Sequence, residues 1–218
     1  MIRKVTIVPT ITTADRSEYQ TQIERIGQYS QHIHIDLADG TFTKNQLINI
    51  NNVTWPEGWE VDLHLMVAEP SKYTEAVARK MPARCIFHAE TRENLLPVFE
   101  ALKARGIKTG IALLPSTYPG AVKPYIEAVD HVLIFAGQLG VQGGTADLMQ
   151  MEKIALIRAI KPDVEIGWDG GANMTNIRAL AHADLDIINV GSALAQVENP
   201  REVYEAMVAE IDKNGVVL

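Results

Sequence analysis

The chain has one cysteine, Cys85, in 218 residues, so no intrachain disulfide can hold it together. It also lacks any run approaching the ~20 apolar residues that a membrane-spanning helix needs. The opening segment MIRKVTIVPTITTADR reaches Asp15 and Arg16 after too short an apolar stretch for a secretory signal. These absences lead to the expectation of a reducing, cytoplasmic location and no membrane partner. Positive charge is scarce as well: 20 Lys and Arg against 27 Asp and Glu leave a net charge of −7. That argues against a nucleic-acid partner, whose phosphates are bound by basic surfaces. A small anion stays open, because it needs only a nest of backbone N–H groups. There is no linker, low-complexity tract or second-domain break, and the length suits one domain over residues 1–218.

Short β-branched runs alternate with longer amphipathic stretches. Strands are predicted over 4–9, 31–36, 60–66, 84–88, 108–114, 131–136, 164–169 and 186–191. Helices are predicted over 16–29, 70–80, 92–105, 120–128, 146–160, 174–182 and 200–213, with a Gly- and Asn-containing connection through Asn52 after the second strand. Eight units of roughly 27 residues predict an α/β fold, a single (β/α)8 TIM barrel. Runs such as IALL, VLIF and IINV are nearly all apolar, as parallel strands covered on both sides must be. A doubly wound open sheet is the competing architecture, but it usually has fewer strands.

In such barrels the chemistry lies at the C-terminal ends of the strands. The polar groups predicted there are Thr10, His34 with Asp36, Asp62 with His64, His88, Asp169, and Gly191-Ser192. His34 and Asp36 are two apart on a strand and share a face. His64 arrives from the next strand and Asp169 from the seventh. Two imidazoles and two carboxylates in one cavity suit one divalent cation such as Zn²⁺, Mn²⁺, Fe²⁺ or Co²⁺. Asp62 reads equally well as a residue orienting His64 and as a structural polar contact. His32 reads as a hydrogen-bonded core residue, His88 as a weak candidate at the mouth, His131 and His182 as surface or helix-end positions, and Cys85 as a packed small hydrophobe. A second cluster is rich in glycine: Gly140, Gly143 and Gly144, then Gly170 and Gly171, then Gly191 with Ser192. Bare backbone in consecutive βα loops, followed by helix N-termini, predicts a phosphate site.

The strings HIDLADG (34–40), VDLHLM (61–66), FHAE (87–90), WDGG (168–171) and VGSAL (190–194) resemble the ribulose-phosphate 3-epimerases, as does VPTITTAD (8–15). The resemblance runs in order from the first strand to the last. It implies an isomerase of carbohydrate metabolism that interconverts D-ribulose 5-phosphate and D-xylulose 5-phosphate, as a homo-oligomer. It makes His34, Asp36, His64 and Asp169 the metal ligands, Asp36 the proton acceptor and Asp169 the proton donor. Thr10 stands where the family usually has a substrate-contacting Ser, and Met66 matches a methionine lining the site. Gly170, Gly171, Gly191 and Ser192 match phosphate-contacting positions. The chain departs from the family's MSVNPGFGGQ segment, which here reads IFAGQLGVQGGT. Ala38 and Phe135 stand where methionines are usual, Gly167 where a Glu is common two residues before the last Asp, and Trp168 where a small aliphatic is usual.

Inverting a carbon beside a ketone requires removing its proton and returning one to the opposite face. The expected scheme is two-aspartate proton transfer through a metal-stabilised enediolate. A hexulose phosphate such as D-allulose 6-phosphate is an alternative substrate. A lyase or decarboxylase on the same barrel would usually place a Lys among the strand-end carboxylates, and none stands in HIDLADG or WDGG. A non-catalytic phosphosugar-binding barrel is the remaining alternative.

Overall fold

A computed structural model describes residues 4–213. The eight strands are β1 (Thr6–Ile11), β2 (His32–Ala38), β3 (Glu60–Met66), β4 (Arg84–His88), β5 (Lys108–Leu113), β6 (His131–Phe135), β7 (Glu165–Asp169) and β8 (Ile187–Val190). They pair in parallel and in sequence order, and β8 closes onto β1. This is the predicted (β/α)8 barrel. The outermost residues of the expected 1–218 domain, 1–3 and 214–218, lie outside the described residues. No helix among the described residues is long and apolar enough to cross a membrane.

The helices are α1 (Arg16–Ile26), α2 (Thr74–Lys80), α3 (Leu96–Lys103), α4 (Lys123–Ala128), α5 (Glu152–Ile160), α6 (Ile177–Ala181), α7 (Ser192–Ala195) and α8 (Pro200–Ile211). They are shorter than periodicity predicts, for local reasons. α3 opens with Pro97 in its first turn, where a missing N–H costs nothing. The stretch before α5 is a 3-10 turn over Leu148–Met151, opened by Asp147, whose side chain accepts from the Met149 N–H. After β2 there is no α-helix, only a 3-10 turn at Ile50–Asn52, whereas β8 is followed by two helices, of which α7 was not predicted. β1 runs past Pro9, where a strand end was expected. The ladder to β8 stops at Pro9, and Thr10 and Ile11 pair with β2 instead.

Two apolar layers hold the barrel. The larger lies between sheet and helices and buries Ile7, Ile33, Ile35, Leu63, Leu65, Phe87, Val132, Ile134 and Trp168 among many others. Each such side chain contributes roughly 1.5–3 kcal/mol by leaving water. Inside the barrel the middle is filled by a small cluster, Ile86, Ala112 and Leu133. That plug separates a charged floor below from the polar mouth above, and the mouth is where the predicted site residues converge.

Candidate active site

Strand register sets the geometry at the mouth. Asp36 on β2 sits beside His64 on β3, and Asp169 on β7 sits beside Asn189 on β8. Alternation turns His34, Asp36, His64 and Asp169 into the barrel. All four are buried, and one ligand atom from each lies within 4.8 Å of all the others. His64 Nδ1 is 2.9 Å from Asp36 Oδ1 and 3.7 Å from Asp169 Oδ2. His34 Nε2 is 3.4 Å from Asp36 Oδ1 and 4.0 Å from Asp169 Oδ2, and has no hydrogen-bond partner among the described residues. The four side chains predicted as metal ligands are thus brought together.

This group fits a divalent metal ion. Its two imidazole nitrogens and two carboxylate oxygens form a borderline donor set, and the partnerless His34 Nε2 points into it. Electrostatics agree. Burial would raise the Asp36 carboxyl, but the adjoining His34 and His64 imidazoles outweigh it and hold it well below the usual carboxylate range. Burial, then the charge of Asp36, pushes Asp169 up to about 6. Burial opposes a charge on His34, yet Asp36 and Asp169 prevail and its pKa is raised. Two buried carboxylates therefore draw positive charge into this space.

The surrounding residues fix these four side chains, and several escaped the sequence reading. The Thr12 hydroxyl donates to Asp36 Oδ2 at 2.7 Å. His64 Nε2 lies 2.9 Å from His88 Nε2, and His88 Nδ1 lies 3.3 Å from Glu90 Oε2. If His64 offers Nδ1 as a ligand, its hydrogen is on Nε2 and is donated to His88, whose own hydrogen then faces Glu90. Burial lowers His88 to about 4, which keeps that ring neutral. A His34 that offers Nε2 carries its hydrogen on Nδ1, 3.2 Å from the Asn189 carboxamide. Presenting Asn189 Oδ1 there also gives that otherwise partnerless oxygen a donor. His88 needed only more weight as a strand-end histidine, whereas Asn189 gave no sequence signal.

Other expectations need correction. Asp62 does not orient His64: its Oδ2 takes hydrogen bonds from His32 Nε2 and Arg84 Nη1, both at 2.9 Å. His131 is not a surface residue. It is buried inside the barrel floor with Nδ1 2.8 Å from Glu165 Oε1. His32 does bond to Asp62 but keeps part of its side chain exposed. Cys85 is buried and packed, as expected.

Above the four-residue group opens a cavity at the mouth of the barrel. Thr10, Met66, Gly140, Gly143, Gly170, Gly171, Gly191 and Ser192 line it together with Asp36 and Asp169, while His34 and His64 lie beneath. Gly144 does not line it. Only α7 begins at one of these glycine loops and it has a single turn, so an anion here would be held by loop N–H groups. Gly170 has to be glycine: its φ is +120°, and a Cβ would sit 2.2 Å from the Gly137 nitrogen. Trp168 faces outward and its Nε1–H donates to the Gly170 carbonyl at 2.9 Å, pinning that loop. On the other side Asp39 accepts from the N–H groups of Thr41, Phe42 and Ala68. The loop it orders then clamps the one after β6, with Asn45 Nδ2 donating to the Gly140 carbonyl at 3.0 Å and the Thr43 hydroxyl to that of Leu139 at 3.2 Å.

A sequence profile of the ribulose-phosphate 3 epimerase family matches residues 6–195, which span the barrel and every side chain just described. The chain belongs to the ribulose-phosphate 3-epimerase family. Membership makes it an isomerase, of the class that epimerises carbohydrates. The cytoplasmic isoform of ribulose-phosphate 3-epimerase from Oryza sativa subsp. japonica is 29% identical over 214 residues, covering 94% of each chain. The ribulose-phosphate 3-epimerase of Schizosaccharomyces pombe is 27% identical over 210 residues, covering 92% of this chain and 91% of its own. Among solved structures, 3-hexulose-6-phosphate synthase from Salmonella typhimurium superposes with a TM-score of 0.72 at 12% identity, covering 95% of this chain and 98% of its own. At that identity the likeness is one of fold.

Proposed function

We propose that this member of the family is a metal-dependent epimerase that inverts C3 of a ketose phosphate, converting D-ribulose 5-phosphate to D-xylulose 5-phosphate in the cytoplasm. The observation that carries the reading is the meeting of Asp36 and Asp169, from β2 and β7, at the floor of one glycine-lined cavity. The naming of both relatives as ribulose-phosphate 3-epimerases supports the substrate, and that of the rice protein as a cytoplasmic isoform supports the location.

His34, Asp36, His64 and Asp169 would hold the ion. When bound it supplies Lewis acidity beside the ketone. The proton chemistry belongs to the carboxylates. Asp36, ionised and steadied by the Thr12 hydroxyl, takes the proton from C3, and the electron pair of the broken C–H bond passes into an enediolate of C2 and C3. Asp169 returns a proton to the opposite face of C3, and the two exchange roles when the reaction runs backwards. Thr10 and the glycine loops bind the rest of the substrate, with the phosphate over Gly170, Gly171, Gly191 and Ser192. Met66, packed with Ala38 and Leu47, gives the sugar an apolar wall.

The test is exchange of C3 hydrogen in deuterated water with D-ribulose 5-phosphate, alongside metal analysis of the purified protein. Wild type should bind a divalent ion and incorporate label at C3. Asp36→Asn and Asp169→Asn should each lower turnover by about 10²–10⁴-fold or more while the fold survives. Near-normal turnover in either variant would remove the two-carboxylate scheme. A metal-loaded protein that labels no ketose phosphate would remove the epimerase reading.

A further inference from the structure

Among the described residues no Lys or Arg lines the cavity, so a phosphate bound there meets only neutral donors from them. Of the side chains that could donate, Thr12 gives its hydroxyl to Asp36, Asn189 is engaged by His34, and the buried Thr10 hydroxyl, at the end of β1, has no partner among the described residues. Gln142, in the loop after β6, has a different situation. Its Nε2 is buried and has no hydrogen-bond partner among the described residues. The side chain crosses to the end of β8: Nε2 and Cγ lie 3.6 Å and 3.8 Å from where a Cβ on Gly191 would sit. Its neighbour Gly143 is as near to Ser192, with the Ser192 Oγ 3.9 Å from the corresponding point. Thr43 and Asn45 hold the same loop by its carbonyls. A buried amide donor without an acceptor is costly, and a ligand that supplies the acceptor removes that cost.

We propose that Gln142 binds the phosphate group of the substrate, its Nε2–H donating to a phosphate oxygen beside Gly191 and Ser192. This rests on the ketose-phosphate reading and deepens it. The loop that departs from the family's MSVNPGFGGQ segment contributes a side-chain donor to the cradle of Gly170, Gly171, Gly191 and Ser192. Gln142 is a binding residue, outside the proton-transfer chemistry.

The sign of the charge at position 142 gives the test. Gln142→Ala, Gln142→Glu and Gln142→Lys are compared with wild type for the dissociation constant of inorganic phosphate and for KM and kcat with D-ribulose 5-phosphate. A hydrogen bond to a charged group predicts that Gln142→Ala weakens phosphate binding and raises KM by about ten- to a hundred-fold. kcat should stay within about threefold, because the interaction is shared by ground and transition states. Gln142→Glu should bind phosphate more weakly than Gln142→Ala, and Gln142→Lys at least as well as wild type. Thermal unfolding of all four proteins checks that the loop change leaves the barrel intact, and Gln142→Asn, one methylene shorter, replaces any variant that does not fold. Equal phosphate affinity across the series, or no phosphate binding by wild type, overturns the proposal. The expected order in a protein that exchanges no ketose phosphate would leave the Gln142 assignment standing and remove the epimerase reading instead.

Discussion

Replacing Arg84 with Met should destabilise the barrel far more than a typical substitution, and the reason lies in the floor beneath the active site. The Arg84 side chain is 2% exposed. Its Nη1 donates to Asp62 Oδ2 at 2.9 Å and its Nη2 lies 2.5 Å from Glu165 Oε1. Asp62 is 1% exposed and would be left with His32 alone. Breaking a buried pair by removing one partner costs about 3–5 kcal/mol, because the remaining charge stays desolvated. The Glu165 arm adds little, since that side chain is 35% exposed and water screens it. The lower end of the range is therefore expected, about 3 kcal/mol. For a chain of this length that corresponds to a fall in Tm of roughly 6–12 °C. Urea and thermal unfolding of Arg84→Met, Asp62→Leu and the double variant complete a cycle. The double variant removes both charges and should recover on the order of 2 kcal/mol relative to the sum of the single losses. A loss below about 1 kcal/mol for Arg84→Met, or strict additivity in the double variant, would show that the floor is held by packing alone.

Gly170→Ala should cost about 2–5 kcal/mol, combining a strained φ with overlap on the Gly137 backbone. It should also raise KM by displacing the β6 loop; a Tm within a degree of wild type would contradict the close approach. Acid should weaken the barrel through the floor. Burial, then Arg84, lowers the His131 pKa, so as pH falls below about 6.5 the unfolded chain takes up a proton first and stability declines until the folded pKa is passed. Burial would raise Glu165, but His131 holds it below its ordinary value, so its contribution is present above about 4.3 and lost as pH falls through the folded pKa. Between pH 7 and pH 5 the Tm of His131→Gln should therefore fall less steeply than that of wild type, and equal slopes would clear His131 of the effect.

The barrel and its group of two histidines and two aspartates were legible because both follow from period and placement. Alternation makes His34 and Asp36 share a face, and strand order brings His64 and Asp169 to the same mouth. The helices were less legible at their starts, where Pro97 and Asp147 set the first turn locally. The glycine cradle was legible as composition but not in detail: Gly143 and Gly144 are adjacent and look alike, yet only Gly143 reaches the cavity. The loop that carries them is held by Thr43 and Asn45 on the carbonyls of Leu139 and Gly140, nearly a hundred residues away in sequence.

His131 shows the limit most sharply. A histidine directly after Asp130, at the start of a strand, carries the pattern of a surface residue. In the barrel it turns inward because two other strands make room. Cβ atoms on Gly110 and Gly167 would lie 3.4 Å and 2.7 Å from its side chain. The space over Gly167 is filled by the His131 ring, and Glu165 supplies the carboxylate it needs from two residues earlier on β7. The bare backbone at position 167 is thus one half of a fit whose other half sits on β6. A single sequence gives the two halves no visible connection, because they meet only when β6 and β7 pair with Leu133 beside Gly167.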